Sequence, residues 1–134
     1  AAGILAGDVQ GIDGISPNFD IPALLMVSDI VLSTAVEPEA FGRAAIEGQA
    51  MGKIVIASNL GGSLENTIDG VTGKLYESSD PQALADAIRW ALDLPLEEKK
   101  KISAAAIKNV KENFTKQIMC DKTIAVYNEL INMD

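Results

Sequence analysis

A chain of 134 residues with 19 acidic against 11 basic side chains, net charge −8, is a poor partner for nucleic acid, whose phosphates demand clustered Lys and Arg. It has no histidine and one cysteine, Cys120, which excludes His-based triads, most zinc sites and any intrachain disulfide, and agrees with a reducing compartment. At 48% apolar but only 4% aromatic, its composition suits one domain of helices packed on a buried parallel sheet better than an aromatic-rich sandwich.

In chain order, Ile4-Leu5-Ala6 reads as a short buried strand ending at Gly7-Asp8, and residues 9–19, with Gly11, Gly14, Pro17 and Asn18, read as loop. Asp20 caps a helix from Ile21, with Pro22 in its first turn and Leu24, Leu25 and Val27 turned inward; it stops near Ser28-Asp29. Ile30-Val31-Leu32-Ser33 is a continuous apolar run, as expected of a strand buried on both faces. A loop containing Pro38 follows, then a helix starting near Ala40 or Phe41 and running to Met51, closed by Gly52. Residues 53–57 (KIVIA) form the next buried strand, and 58–62 the loop at its carboxyl end; Ser63 is placed to cap a short helix through Ile68.

Asp69-Gly70 marks a tight turn, and residues 73–76 a short strand. Asp80-Pro81 is a helix start, a carboxylate cap followed by proline, and Leu84, Ala87, Ile88, Ala91 and Leu92 recur at helical spacing until Pro95. Another helix is predicted over 96–112; its Lys99–Lys101 run follows Glu97 and Glu98 and reads as a solvated face. Thr115 caps a last helix over 116–132 with an apolar stripe of Ile118, Thr123, Ile124, Tyr127, Leu130 and Ile131. No apolar run approaches the roughly 20 residues of a membrane span, and no basic leader opens the chain, so a cytoplasmic protein is expected. Strands alternating with helices imply a parallel sheet with helices on both faces, and ligands in such sheets sit at the carboxyl ends of the strands. The loops after residues 33 and 57 are therefore the places to look.

The first of these loops carries Glu37-Pro38-Glu39-Ala40-Phe41-Gly42-Arg43, followed in the helix by Glu47. Glu47 is about six residues beyond the predicted helix start, roughly 9 Å along the axis. Between the two acids lie the unpaired N–H groups of a helix end, which with the helix dipole favour an anion such as a diphosphate. Gly42 removes a side chain where a ligand meets backbone. Three stations follow: Glu39 for a sugar, the helix start for phosphates, and Glu47 for ribose hydroxyls, good donors to a carboxylate. Two ordinary surface acids are the alternative, and spacing alone does not separate the two.

The combination of Ser28-Asp29-Ile30-Val31-Leu32-Ser33, Glu37-Pro38-Glu39-Ala40-Phe41-Gly42, Glu47 through Gly52, Ile54-Val55-Ile56-Ala57, Gly61-Gly62 with Glu65, Asp69-Gly70 with Gly73, and Asp80-Pro81-Gln82-Ala83-Leu84 resembles glycosyltransferase family 4, retaining enzymes of the GT-B fold. The resemblance covers about a hundred residues, and the Pro-Glu-Ala-Phe-Gly-Arg variant is similar to bacterial lipopolysaccharide and envelope-polysaccharide transferases. It implies the Rossmann-like C-terminal, donor-binding half of a hexosyltransferase, with residues 1–134 one nucleotide-sugar-binding domain. The donor would be a UDP, GDP or ADP sugar and the acceptor a glycan or lipid-linked sugar, with no metal or other cofactor.

By the same resemblance Glu39 is the catalytic residue, contacting the donor sugar near the reacting centre, and Glu47 the ribose ligand. Phe41 and Gly42, with Ala40 beside them, form the segment that meets sugar or phosphate. Gly61 and Gly62 match a flexible loop lining the cleft, a plain strand-to-helix turn being the equal alternative. Arg43 is placed either to neutralise phosphate or to pair with Glu39 or Glu47, and Glu65 is read as helix-terminus charge.

The pattern departs from the family before Asp20. Residues 1–19 contain neither Arg nor Lys, where the family supplies a basic pair to the diphosphate, and they are too short for the helix and strand expected there. An acceptor-binding N-terminal domain is likewise expected to be missing from this chain. The chain is thus expected to be truncated at its N-terminus and to bind donor weakly alone. Its last helix, which in the family crosses to the missing domain, is expected to expose its stripe and favour a homodimer. In the full-length enzyme a place peripheral to the inner membrane is implied. A non-catalytic nucleotide-binding or interaction remnant is the second reading. An unrelated flavodoxin-like regulator is disfavoured, because the sequence has neither that class's acidic cluster nor a Gly-x-Gly-x-x-Gly.

Overall fold

Three short parallel strands organise the described residues. The computed structural model describes residues 20–132, in the order α1 (Ile21–Val27), β1 (Ile30–Ser33), α2 (Arg43–Ala50), β2 (Ile54–Ser58), α3 (Ser63–Asn66), β3 (Lys74–Tyr76), α4 (Pro81–Asp93), α5 (Leu96–Asn113) and α6 (Lys116–Ile131). The expected strand at residues 4–6 and the loop over 9–19 lie outside the described residues. The strands pair in the order β1-β2-β3, with Ile30 opposite Ile54 and Ile56 opposite Lys74. A parallel pair needs a crossover, and α2 and α3 supply the two.

Central β2 is buried along its whole length, which is why IVIAS shows no polar alternation. Its side chains still divide by face. Ile54 and Ile56 join Tyr76, Ala87, Ala91 and Ile102 beneath α4 and α5, with Leu32, Leu84 and Ile88 packed around them. Val55 and Ala57 face α2 with Ala45, Val31 and Leu75. Helices thus cover both faces, and α5 reaches both α2 and β2.

Three helices begin as their sequences dictate. Asp20 accepts from the Ala23 N–H, Asp80 from Gln82 and Ala83, and Thr115 from Ile118. Gly52, left-handed at φ 66°, closes α2.

Several expectations are corrected. β1 is half-buried except for Ser33, because it is the edge of the described sheet and has a strand on one side only. No residue of α1 is buried, and Val27 is 81% exposed; α1 stands off from α2 across a cavity instead of seating Leu24 and Val27 in the core. α3 ends at Asn66, not Ile68, because the chain turns extended at Thr67 and Thr72 Oγ1 takes the Ile68 N–H. Ser63 is the first residue of α3 and makes no cap bond. The last helix buries none of its side chains, and Ile124, Tyr127, Leu130 and Ile131 are all exposed, as expected of that stripe. Among the described residues no helix is long and apolar enough to cross a membrane.

Gly48 tests whether packing or propensity governs α2. A Cβ there would lie 2.9 Å from Val55 Cγ2 and 3.1 Å from Val31 Cβ, in the helix–sheet contact. Helix propensity favours alanine by about 0.8–1 kcal/mol, but overpacking a closed core costs about 1–3 kcal/mol. Gly48→Ala is expected to lower the urea midpoint, with a net loss of about 1 kcal/mol and an unchanged slope.

Candidate functional site

Because the strands are parallel and in register, with Ser33 opposite Ala57, the loops that leave them emerge side by side at one edge of the sheet. The loops are tied to one another. The Gly62 N–H donates to the Glu39 carbonyl at 2.8 Å, and Asn66 Nδ2 donates to the Phe41 carbonyl at 2.6 Å. Ser78 Oγ, just past β3, donates to the Ala35 carbonyl at 3.2 Å, while the Ser78 N–H donates to Asn59 Oδ1 at 3.0 Å. All three carboxyl-end loops therefore form one floor.

Gly61 and Gly62 make this floor possible. A Cβ on Gly61 would fall 2.5 Å from the Glu39 carbonyl oxygen, and one on Gly62 2.7 Å from the Phe41 carbonyl carbon. Gly61 also has φ 56°. The pair is thus packed backbone to backbone against residues 38–41.

The helix after this loop begins later than expected. Phe41 gives its carbonyl to Asn66, Gly42 turns left-handed (φ 72°, ψ 57°), and α2 starts at Arg43 instead of Ala40 or Phe41. No side chain caps it. The Gly42 carbonyl accepts from Ala45 at 3.1 Å and Ile46 at 3.3 Å, whereas among the described residues the N–H groups of Gly42, Arg43 and Ala44 find no acceptor. The end is open to an anion on geometric grounds. Beside it lies Ser63 Oγ, buried and without a hydrogen-bond partner, 3.5 Å from where a Gly42 Cβ would be.

Glu47 sits just over one turn into α2. Its carboxylate is 38% exposed and bonded to the Arg43 guanidinium at 2.9 Å, and both line a cavity of about 410 Å³ between α1 and α2 with Ile21, Pro22, Leu25 and Met51. That ion pair is an exposed i,i+4 contact worth roughly 0.3–0.5 kcal/mol, so either partner is easily released to a ligand. Glu39 and Ala40 are exposed; the Glu39 carboxylate has no ion-pair or hydrogen-bond partner among the described residues. Phe41 lays its ring edge-on to Phe114, centroids 5.9 Å apart. The structure thus gathers Arg43 and Glu47 at the cavity, and Glu39, Phe41, Gly42, Gly61 and Gly62 at the loop floor, with the open end of α2 between the two groups. Glu65 lies in the first turn of α3, where its charge complements the helix dipole.

A larger cavity of about 680 Å³ lies elsewhere, lined by Ile30, Ile54, Lys53, Lys99, Lys100 and Ser103. It opens at the amino ends of β1 and β2, opposite the edge where parallel sheets bind their ligands.

The sequence reading missed a polar network beneath the floor. Gln49 is fully buried; its Nε2 donates to the Asn66 carbonyl at 3.0 Å and to Thr67 Oγ1 at 3.2 Å. Asn109 on α5 donates to Gln49 Oε1 and the Asn66 carbonyl, both at 3.1 Å, and Thr67 Oγ1 donates to Asn66 Oδ1 at 2.9 Å. A signal was available. Gln49 follows Ala45 at i+4, and Asn109 follows Ile102 and Ala106 at i+7 and i+3, so both amides occupy apolar positions of amphipathic helices.

Comparison with known proteins decides the class. A family model described as glycosyl transferases group 1 matches residues 5–109. This chain belongs to that family. Its fold is of the GT-B glycosyltransferase type, and its α/β sheet is consistent with the C-terminal half of such enzymes. The chain is 30% identical over 118 residues to the D-inositol 3-phosphate glycosyltransferase of Corynebacterium diphtheriae, covering 88% of itself and 27% of that protein. A glycosyltransferase structure from Rickettsia africae superposes with TM-score 0.80 at 42% identity, over 85% of this chain and 30% of that one. The structure of HepE from Anabaena in complex with UDP-glucose superposes with TM-score 0.74 at 29% identity, over 84% and 30%. The chain therefore spans less than a third of the length of each.

The glycine floor carries a direct prediction. Gly61→Ala and Gly62→Ala are each expected to destabilise the chain by about 2–4 kcal/mol in chemical denaturation, from overpacking against immovable backbone and, at Gly61, the left-handed φ. The exposed-turn control Gly70→Ala, with nothing within 4 Å of its Cβ, should show only the left-handed φ cost, about 1–2 kcal/mol.

Proposed function

We propose that the whole chain, residues 1–134, is one nucleotide-sugar-binding domain of a retaining family 4 hexosyltransferase, which moves a hexose from a nucleoside diphosphate sugar to a glycan or lipid-linked acceptor. Lipopolysaccharide or envelope-polysaccharide synthesis at the cytoplasmic side of a membrane is the setting proposed for the complete enzyme. The single observation that carries this reading is the uncapped amino end of α2, with three amides unpaired among the described residues and an acid on either side.

In this reading the diphosphate meets the Gly42, Arg43 and Ala44 amides, and Glu47 accepts from the ribose hydroxyls. Glu39 faces the sugar near the carbon that reacts. Ala40, Phe41, Gly61 and Gly62 shape the floor beneath it. Arg43 supports the proposal by its position. A cation in the first turn of a helix opposes the helix dipole, a placement that is unhelpful to α2 alone but favourable once a phosphate sits there. HepE is described with UDP-glucose, which makes a UDP sugar the first donor to try.

Magnitudes give the expected strength. An anion at a helix end contributes about 0.3–2 kcal/mol, and a hydrogen bond to a charged group about 1.5–3 kcal/mol. Together these imply roughly millimolar binding by this chain alone. Titration with UDP-glucose, GDP-mannose and ADP-glucose, followed by amide NMR shifts, is expected to show saturable binding to one of them, weakened about 10–100-fold in Glu47→Ala. Equal binding by wild type and Glu47→Ala overturns the assignment of Glu47. Indifference to all three nucleotides overturns the donor site.

We also propose that the exposed α6 stripe, Ile124, Tyr127, Leu130 and Ile131, pairs two copies of this chain in solution. Sedimentation is expected to show a concentration-dependent dimer that Tyr127→Glu dissociates. A strict monomer at high concentration overturns this.

A further inference from the structure

We propose that Asn66 is the positioning residue that aims the amides of the α2 end at the donor phosphates, acting through the Phe41 carbonyl. The inference rests on the donor-site reading above and adds to it a residue that touches neither sugar nor nucleotide.

The argument begins with one peptide unit. The Phe41 carbonyl and the Gly42 N–H belong to the same planar group, and no peptide bond among the described residues is cis. In a trans peptide these two groups point in opposite directions. Asn66 Nδ2 holds the Phe41 oxygen at 2.6 Å on the α3 side, so the Gly42 N–H must point away from α3. Rotating this peptide would turn the N–H inward and the carbonyl outward, presenting negative charge to an incoming phosphate. One side-chain amide therefore decides whether the 41–42 peptide presents an N–H donor or a carbonyl oxygen at the mouth of α2.

Asn66 itself has little freedom. Its Oδ1 accepts from Thr67 Oγ1, and its backbone carbonyl accepts from Gln49 and from Asn109. Residue 66 is 1% exposed. With Oδ1 engaged, its NH2 necessarily faces the Phe41 oxygen, because the flipped amide would set two carbonyl oxygens against each other. Gly42 completes the fit, since a Cβ there would lie 3.0 Å from Asn66 Nδ2. The helix end is thus fixed before any ligand arrives, as electrostatic binding of an anion requires.

The test separates phosphate from nucleoside. Wild type, Asn66→Ala and Asn109→Ala are titrated with uridine and with UDP, followed by amide NMR, and melted by circular dichroism. In wild type, UDP is expected to bind at least fivefold tighter than uridine and to shift the Gly42 and Arg43 amides, which uridine leaves in place. Asn66→Ala is expected to bind uridine as wild type does and to lose the UDP advantage. Asn109→Ala, which loosens the same network without touching Phe41, is expected to melt lower yet keep it. A wild-type UDP-to-uridine ratio in Asn66→Ala overturns the proposal while leaving the donor site standing. If Asn66→Ala does not fold, the wild-type spectra decide: a Gly42 amide that ignores UDP while uridine still binds also overturns it. Failure of wild type to bind either compound removes the donor site and this inference with it.

Discussion

The contact on which the rest depends is the seam between two stretches of bare backbone, residues 38–42 and residues 61–62. Two hydrogen bonds cross it or flank it, one from the Gly62 N–H to the Glu39 carbonyl and one from the Asn66 amide to the Phe41 carbonyl. Nothing larger than hydrogen fits at the two glycines. This seam fixes where the loop after β1 ends, and so where α2 begins and which way its free amides face. Glu39 lies in the seam and Glu47 on the helix that leaves it, so their relation is set by backbone geometry and not by any contact between them.

The seam is supported from below by amides instead of an apolar core. Gln49, Asn66, Thr67 and Asn109 satisfy one another in a region with little exposure to water, where an unpaired polar atom costs about 1–3 kcal/mol. Such a network is satisfied only in one arrangement, which a greasy contact of similar size would not enforce. It links α2, α3 and α5, so the outer helix has a stake in the geometry of the loop floor. Ser58 and Ser63 are the exceptions, with hydroxyls buried and unpartnered among the described residues.

In a protein of net charge −8 the proposed diphosphate site needs a local reason. Surface charges are screened over about 8 Å at physiological ionic strength, so most of the acidic surface is not felt at the α2 end. What is felt lies within that distance: helix amides, the Arg43 guanidinium and the flanking acids. The Arg43–Glu47 pair is weak enough to open, which in the proposed function releases one partner to phosphate and the other to hydroxyls.

The sequence by itself determined the class of fold and most of its punctuation. Alternating apolar runs and helical spacings gave the order of strands and helices, and Asp20, Asp80-Pro81 and Thr115 marked three helix starts because a cap acts on its own next few residues. It also singled out Glu39, Gly42 and Glu47, since a carboxylate–glycine–carboxylate pattern about a helix start is a local feature. What only the tertiary structure decided involves partners distant in the chain. The late start of α2 needs Asn66, 25 positions away from Phe41, and the Gln49–Asn109 bond spans 60. The exposure of α1 and the partial burial of β1 depend on which strands and helices stand beside them. Local chemistry is written residue by residue, whereas the direction of one buried peptide is settled only when separate segments meet.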